Sequence, residues 1–116
     1  MTRLFIPHLK VISPNRRGHW RKLYNQTKKN KETVHWYLKT IEKPALPVKV
    51  TMTRISPREY DDDNLTSSMK EIRDKVADWL IPGLAPGRAD SDERITWVYE
   101  QRKGQPKEIA LEITFT

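Results

Sequence analysis

The hydrophobic positions along the chain change their spacing several times, and each change predicts a new element. Apolar residues are concentrated from Arg3 to Ile12 on both sides of Pro7, which predicts a first strand with a kink or an edge position at the proline. Helical spacing follows from Lys28 to Thr40 and predicts a helix that buries Val34, Tyr37, Leu38 and Ile41. Alternation from Ala45 to Arg54 then predicts a half-buried strand.

The second half of the chain predicts one more helix and two more strands. An apolar stripe from about Asn64 to Leu80 predicts a second helix, which buries Leu65, Met69, Ile72, Val76, Trp79 and Leu80. Alternation predicts two further strands, at 94–101 and 109–115, joined as an antiparallel hairpin. The order β-α-β-α-β-β over 116 residues predicts a single α+β domain, residues 1–116, with two helices packed on one mixed sheet.

Composition excludes several classes of site and location. The chain has no cysteine, so disulfides, thiolate metal sites and cysteine nucleophiles are excluded. No apolar run approaches the roughly 18 residues of a membrane span. The first ten residues lack the apolar block and cleavage site of a signal peptide. We therefore expect an intracellular protein with no membrane association.

Charge is distributed unevenly along the chain, whose net charge is +7. Residues 1–40 carry ten Lys/Arg and one acidic residue, whereas residues 59–93 carry ten acidic and four basic residues. Basic residues interleaved with aromatics favour contacts with phosphates and bases, so we expect DNA contacts from the first third. The residues concerned are Asn15, Arg16, Arg17, His19, Trp20, Arg21, Lys22, Lys28 and Lys29. The alternatives are that both charged regions are ordinary solvated faces and that Trp20 packs on the sheet.

The acidic residues suggest a metal site. In an extended chain Asp61 and Asp63 project to the same side, just before the second predicted helix. Carboxylates with waters and phosphate oxygens are the ligands that Mg²⁺ prefers, and Mn²⁺ is an alternative. Asp90 and Asp92 form a second such pair. If the strand after them lies beside the strand that ends near Arg54, the two acidic segments can meet at one end of the sheet.

Lys70 is the candidate basic partner of these carboxylates. It follows Asp63 by seven residues, close to two helical turns, and so returns to nearly the same face. A metal there would activate water and neutralise charge on a phosphate, and Lys70 would add charge stabilisation. The alternatives are that Lys70 pairs with Glu71, with Asp74 or with nothing, as on any solvated helix face, and that the acidic run only caps the helix.

These residues resemble the signature of the RusA-like endodeoxyribonucleases, a family of Holliday junction resolvases. The resemblance lies in Asp61-Asp62-Asp63-Asn64-Leu65, in Lys70 and Arg73-Asp74, and in Asp90-Ser91-Asp92 with the strand that follows. Pro14-Asn15 and Trp20 resemble the family's N-terminal region. The family pattern places its lysine where this chain has Ser67, and Lys70 follows three residues later.

The resemblance implies a Mg²⁺-dependent homodimer that cuts four-way DNA junctions at paired, symmetric positions during DNA recombination and repair. It implies Asp61, Asp63 and Asp90 as metal ligands and catalytic residues, Asp92 as the competitor of Asp90, and Lys70 as an assisting catalytic residue. It also implies a bacterial or phage-encoded cytoplasmic protein. Two alternatives are a non-catalytic basic DNA-binding module, and a nuclease of the same chemistry that acts on other branched DNA or on RNA.

Overall fold

The structure is a computed structural model, and it describes residues 2–11, 20–60, 62–83 and 88–116, without the side chains of Asp62 and Asp63. Its elements follow one another as β1 (Thr2–Pro7), α1 (Trp20–Leu38), β2 (Val48–Ser56), α2 (Asp62–Ser68), α3 (Lys70–Leu80), a 3-10 turn η1 (Ala89–Ser91), β3 (Ile95–Lys103) and β4 (Ala110–Phe115). This is the predicted α+β arrangement, with helices between strands and a mixed sheet.

The four strands form one sheet in the order β1-β4-β2-β3. β4 is antiparallel to both β1 and β2, whereas β2 and β3 are parallel. β1, β2 and β3 therefore run in the same direction. Their last residues, Pro7, Ser56 and Lys103, lie along one side of the sheet, which we call the carboxyl edge.

The predicted hairpin between the last two strands is wrong, because β2 lies between β3 and β4. β2 buries residues on both of its faces, Val50 and Met52 on one and Ile55 on the other. β2 takes the centre of the sheet because it is hydrogen-bonded to β3 on one side and to β4 on the other. Residues 104–109 then span the roughly 10 Å between the two neighbours of β2.

The core lies between the sheet and the helices α1 and α3. The predicted apolar stripes point inward, since Val34 and Leu38 of α1 and Ile72 and Val76 of α3 are all buried. They meet buried residues of every strand, including Leu4, Ile6, Val50, Met52, Ile95, Ile113 and Phe115. Trp79 of α3 also packs on this core, since the centre of its ring lies 5.7 Å from the centre of the Phe115 ring.

α1 begins eight residues earlier than predicted, at Trp20 instead of Lys28. The sequence hid this extension because its residues show no apolar stripe: Trp20 is 66% exposed and Tyr24 is 64% exposed. The alternative in which Trp20 packs on the sheet is therefore wrong. The basic and aromatic residues instead form the exposed start of a helix.

The predicted helix from 64 to 80 is two helices that meet at Met69. In a continuous helix the amide of Met69 would donate to the carbonyl of Leu65. Here the Ser68 hydroxyl donates to the carbonyl of Leu65 at 2.7 Å, and the Met69 amide donates to the carbonyl of Thr66 at 3.2 Å. Serine and threonine compete for backbone partners in this way, and three of them precede the break.

The first strand ends at Pro7 rather than Ile12, because His8 adopts a left-handed conformation with φ of 63°. Residues 8–11 continue past the carboxyl edge, and Leu9 and Val11 remain buried in the core. Among the described residues, no helix combines the length and apolar character that crossing a bilayer requires.

Candidate active site

Tyr60, the residue immediately before Asp61, is fixed to β3 by one side chain. Gln101 accepts a hydrogen bond from the Tyr60 amide at 2.9 Å and donates one to the Tyr60 carbonyl at 2.6 Å. Both backbone groups of Tyr60 are thereby satisfied at a point where the chain has left β2. The start of the acidic segment is thus attached to the carboxyl-edge end of β3.

A buried arginine supports the same residue. Arg54 is only 6% exposed, and its guanidinium lies 3.6 Å from the centre of the Tyr60 ring. Its Nη1 donates to the carbonyl of Arg58 at 2.6 Å, which holds the turn between β2 and α2. The Tyr60 hydroxyl donates to the carbonyl of Val11 at 3.4 Å. The approach to Asp61 is therefore held from β2, from β3 and from the segment after β1.

Asp90 is held against β3 and α3 by contacts on both sides. Its carbonyl accepts a hydrogen bond from Trp97 Nε1 at 2.9 Å. Its carboxylate Oδ2 pairs with Arg73 Nη2 at 3.1 Å, and Arg73 Nη1 donates to the hydroxyl of Tyr99 at 3.0 Å. The side chain of Asp90 is 18% exposed, so this carboxylate is largely shielded from solvent.

These contacts bring the two acidic segments to neighbouring positions on β3. Tyr99 and Gln101 point to the same face of the strand, and residues two apart on a strand are separated by about 7 Å. Tyr99 contacts the arginine that holds Asp90, and Gln101 holds the residue before Asp61. β2 and β3 are neighbours, as the hypothesis required, but they are parallel, so the segments approach along the side of β3 and not at shared strand ends.

The charges around Asp90 are strongly coupled. Burial raises the pKa of Asp74, and the nearby charge of Asp90 raises it further. Burial opposes the charge on Arg73, but the hydrogen bond to Tyr99 and the carboxylates of Asp90 and Asp74 raise the pKa of Arg73 overall. Arg73 Nε is buried and has no partner among the described residues. This cluster therefore carries excess negative charge together with one unused buried donor.

Asp92 has a different environment from Asp90, although the two are only two residues apart. It forms a two-pronged pair with Arg94, with distances of 3.0 and 2.9 Å, and also accepts the Arg94 amide. These hydrogen bonds lower the pKa of Asp92 to about 2. Its carboxylate secures the turn into β3, whereas the carboxylate of Asp90 faces α3.

Lys70 is the first residue of α3, is exposed, and forms no ion pair with any carboxylate whose side chain the structure describes. Glu71 instead pairs with Lys31 at 2.8 Å. Among the described side chains, the alternative that fits Lys70 is therefore an exposed lysine on a solvated helix face without an ion-pair partner. Because the helix is interrupted at Met69, the spacing of two regular turns between Asp63 and Lys70 does not apply.

The predicted DNA-binding residues divide into two groups. Trp20, Arg21, Lys22, Lys28 and Lys29 lie on α1 and are exposed. Asn15, Arg16, Arg17 and His19 lie outside the described residues, as do Asp61 and the side chain of Asp63.

The donor set fits a hard divalent cation only if the acidic segment contributes to it. The described part of the chain, which excludes the side chains of Asp61 to Asp63, contains no group of three His, Asp or Glu side chains able to hold a metal. Asp90 uses one carboxylate oxygen for Arg73 and leaves Oδ1 for another partner. Oxygen donors from Asp61 and Asp63 would complete a set of the kind that Mg²⁺ prefers.

Sequence reasoning missed the roles of Arg54, Tyr60, Arg73 and Gln101. One signal was present for Arg54, because the alternation that buries Val50 and Met52 also places Arg54 on the buried face. A charged residue in that register indicates a specific partner. Comparison with protein-family models, with curated proteins and with solved structures yields no match, so function rests on the chemistry of these residues.

Proposed function

We propose that this protein is a metal-dependent endodeoxyribonuclease of the RusA-like type, which cuts four-way DNA junctions. The observation that carries the proposal is the convergence on β3, where Gln101 holds the residue before Asp61 and Tyr99 contacts the arginine that holds Asp90. These contacts support the proposal that the two acidic segments, which are distant in sequence, act together.

In this proposal Asp61, Asp63 and Asp90 hold Mg²⁺ or Mn²⁺. The bound metal would supply an activated water and neutralise charge on the phosphate being cut. Arg73 positions Asp90 through its Nη2, which pairs with the Asp90 carboxylate. Lys70 is exposed at the start of α3, from where its long side chain can contact a phosphate. A two-fold dimer would present two such sites to two strands.

The basic surface of α1 supports DNA as the substrate. Between Trp20 and Leu38 the helix carries five Lys/Arg and one Glu. Their charge favours a polyanion, and the exposed rings of Trp20 and Tyr24 offer stacking surfaces for bases.

The test is cleavage of a synthetic four-way junction with and without Mg²⁺, beside linear duplex, single-stranded and flap DNA. Asp90→Asn and Asp63→Asn should lose at least about a hundredfold in cleavage rate, because a metal ligand is removed. Both should retain junction binding. Asp92→Asn is the matched control, since it removes the same charge two residues away from a carboxylate already paired with Arg94.

Full cleavage by Asp90→Asn, or equal loss in Asp90→Asn and Asp92→Asn, would contradict the assignment. Cleavage of flap or RNA substrates in preference to junctions would retain the chemistry and change the substrate.

One observation favours a second function, a non-catalytic DNA-binding module. The carboxylate of Asp90 already forms an ion pair with Arg73, as a purely structural aspartate would. This alternative expects tight, salt-sensitive junction binding with no cutting in either Mg²⁺ or Mn²⁺.

A further inference from the structure

A pocket of about 500 Å³ lies between α1 and the segment that follows β1. Its polar lining consists of His8, Lys10, Gln26, Lys29, Asn30 and Thr33. Among the described residues, Lys10 and Lys29 line the pocket and no carboxylate does. The lining of the pocket therefore carries a net positive charge.

The groove between α1 and α3 shows the contrast. It has a similar volume, about 600 Å³, and three lysines line it. Three carboxylates, Glu32, Asp74 and Asp78, line it as well. That groove is close to neutral, so the lysine-lined pocket beside β1 is the better receptor for an anion.

A chain of hydrogen bonds builds the wall of the pocket. Gln26 Nε2 donates to Asn30 Oδ1 at 2.9 Å, and Asn30 Nδ2 donates to the carbonyl of Lys10 at 2.8 Å. Asn30 is only 7% exposed, so this chain holds Lys10 against α1. Each amide nitrogen carries two hydrogens, and these contacts use one of them. The wall thus combines fixed amide donors with the ammonium groups of Lys10 and Lys29.

The position of the pocket relates it to the acidic segment. β1 and β2 run in the same direction, so residues 8–11 and the start of α2 both follow the carboxyl edge of the sheet. A direct contact joins them, because the hydroxyl of Tyr60 donates to the carbonyl of Val11, the residue after Lys10. Tyr60 in turn precedes Asp61.

We infer that this pocket binds a phosphodiester of the DNA strand, next to the phosphate that the acidic segment acts on. Lys10 and Lys29 neutralise the phosphate, and the amides of Gln26 and Asn30 orient it. The inference rests on the proposed function for the identity of the strand, but its chemistry is that of phosphate binding alone. The inference adds Lys10 to the DNA-binding residues, and it gives Lys29 a phosphate in this pocket as its partner.

The test compares junction binding by wild type, Lys10→Gln, Lys29→Gln and the double variant, in EDTA so that nothing is cut. Glutamine keeps the length of the side chain and removes its charge. Each lost phosphate contact should weaken binding about fivefold at 0.15 M salt and reduce the slope of log K against log salt by about 0.9. Lys49→Gln is the matched control, because Lys49 is exposed on the opposite face of β2. Thermal unfolding checks that all variants are folded.

Binding by Lys10→Gln and Lys29→Gln equal to that of Lys49→Gln would overturn the inference while leaving nuclease activity intact. Wild type that binds through these lysines but does not cut would overturn the nuclease and keep the phosphate pocket. Wild type that binds no DNA would overturn both. Titration with inorganic phosphate alone separates the sources: chemical-shift changes at Lys10 and Lys29 with phosphate, and none with DNA, would refute a strand contact.

Discussion

The hydrogen bonds between Gln101 and Tyr60 are expected to control the order of the acidic segment. Gln101→Met keeps the length of the side chain and removes both its donor and its acceptor. It leaves the amide and the carbonyl of Tyr60 without the partners now at 2.9 and 2.6 Å. The stacking of Arg54 on the Tyr60 ring remains, so the turn should loosen locally and the fold should persist.

The magnitude follows from the two lost bonds. A neutral hydrogen bond contributes about 0.5–1.5 kcal/mol net, so two of them contribute about 2 kcal/mol. Opening of the segment at Tyr60 should then become roughly thirtyfold more frequent. Cleavage should fall only as far as the open form becomes populated, and junction binding should change little.

Amide hydrogen exchange measured by NMR is the primary assay, because it does not depend on activity. The Tyr60 amide should exchange roughly thirtyfold faster in Gln101→Met than in wild type. Glu100→Gln, on the exposed side of the same strand, is the control and should leave that rate unchanged. Unchanged exchange at Tyr60 in Gln101→Met would refute the reasoning, whatever the cleavage rate.

Two further predictions concern stability. Because burial and Asp90 raise the pKa of Asp74 above its ordinary value near 3.8, its ionisation opposes folding above that pH. Asp74→Asn should therefore raise the unfolding temperature at pH 7 and lose this gain near pH 3; an equal gain at both pH values would contradict the charge argument. Met52→Ala should cost about 2–5 kcal/mol in urea unfolding, since Met52 is 0% exposed. Thr96→Ala, at an exposed position of β3, should cost under about 1 kcal/mol, and similar losses in both variants would show that β2 is not central.

The predicted elements came from local patterns, and those patterns are set by burial. Alternation at Val48, Val50 and Met52 and the helical stripe from Leu65 to Leu80 both reflect one apolar face against one core. The sequence alone therefore predicted the α+β class and the presence of four strands, although it extended the first strand to Ile12 where β1 ends at Pro7. It missed the first eight residues of α1, because an exposed helix start has no apolar period to detect.

Strand order was decided only in the tertiary structure. The alternating pattern of β3 and β4 is compatible with a hairpin, and nothing local prevents their pairing. β2 instead pairs with both of them, through residues that lie more than forty positions away in the chain.

The acidic residues and the basic first third were visible in the sequence, since charge can be read residue by residue. The tertiary contacts around these residues could not be predicted from the sequence. Gln101 contacts Tyr60 and Arg73 contacts Asp90 across 41 and 17 residues of chain. Side-chain hydrogen bonds of this kind produce no repeating pattern in the sequence, because a single glutamine or arginine forms them. The sequence thus determined which chemical groups are available. The tertiary contacts of β3 decided which of these groups lie close together, because Tyr99 contacts Arg73 and Gln101 contacts Tyr60.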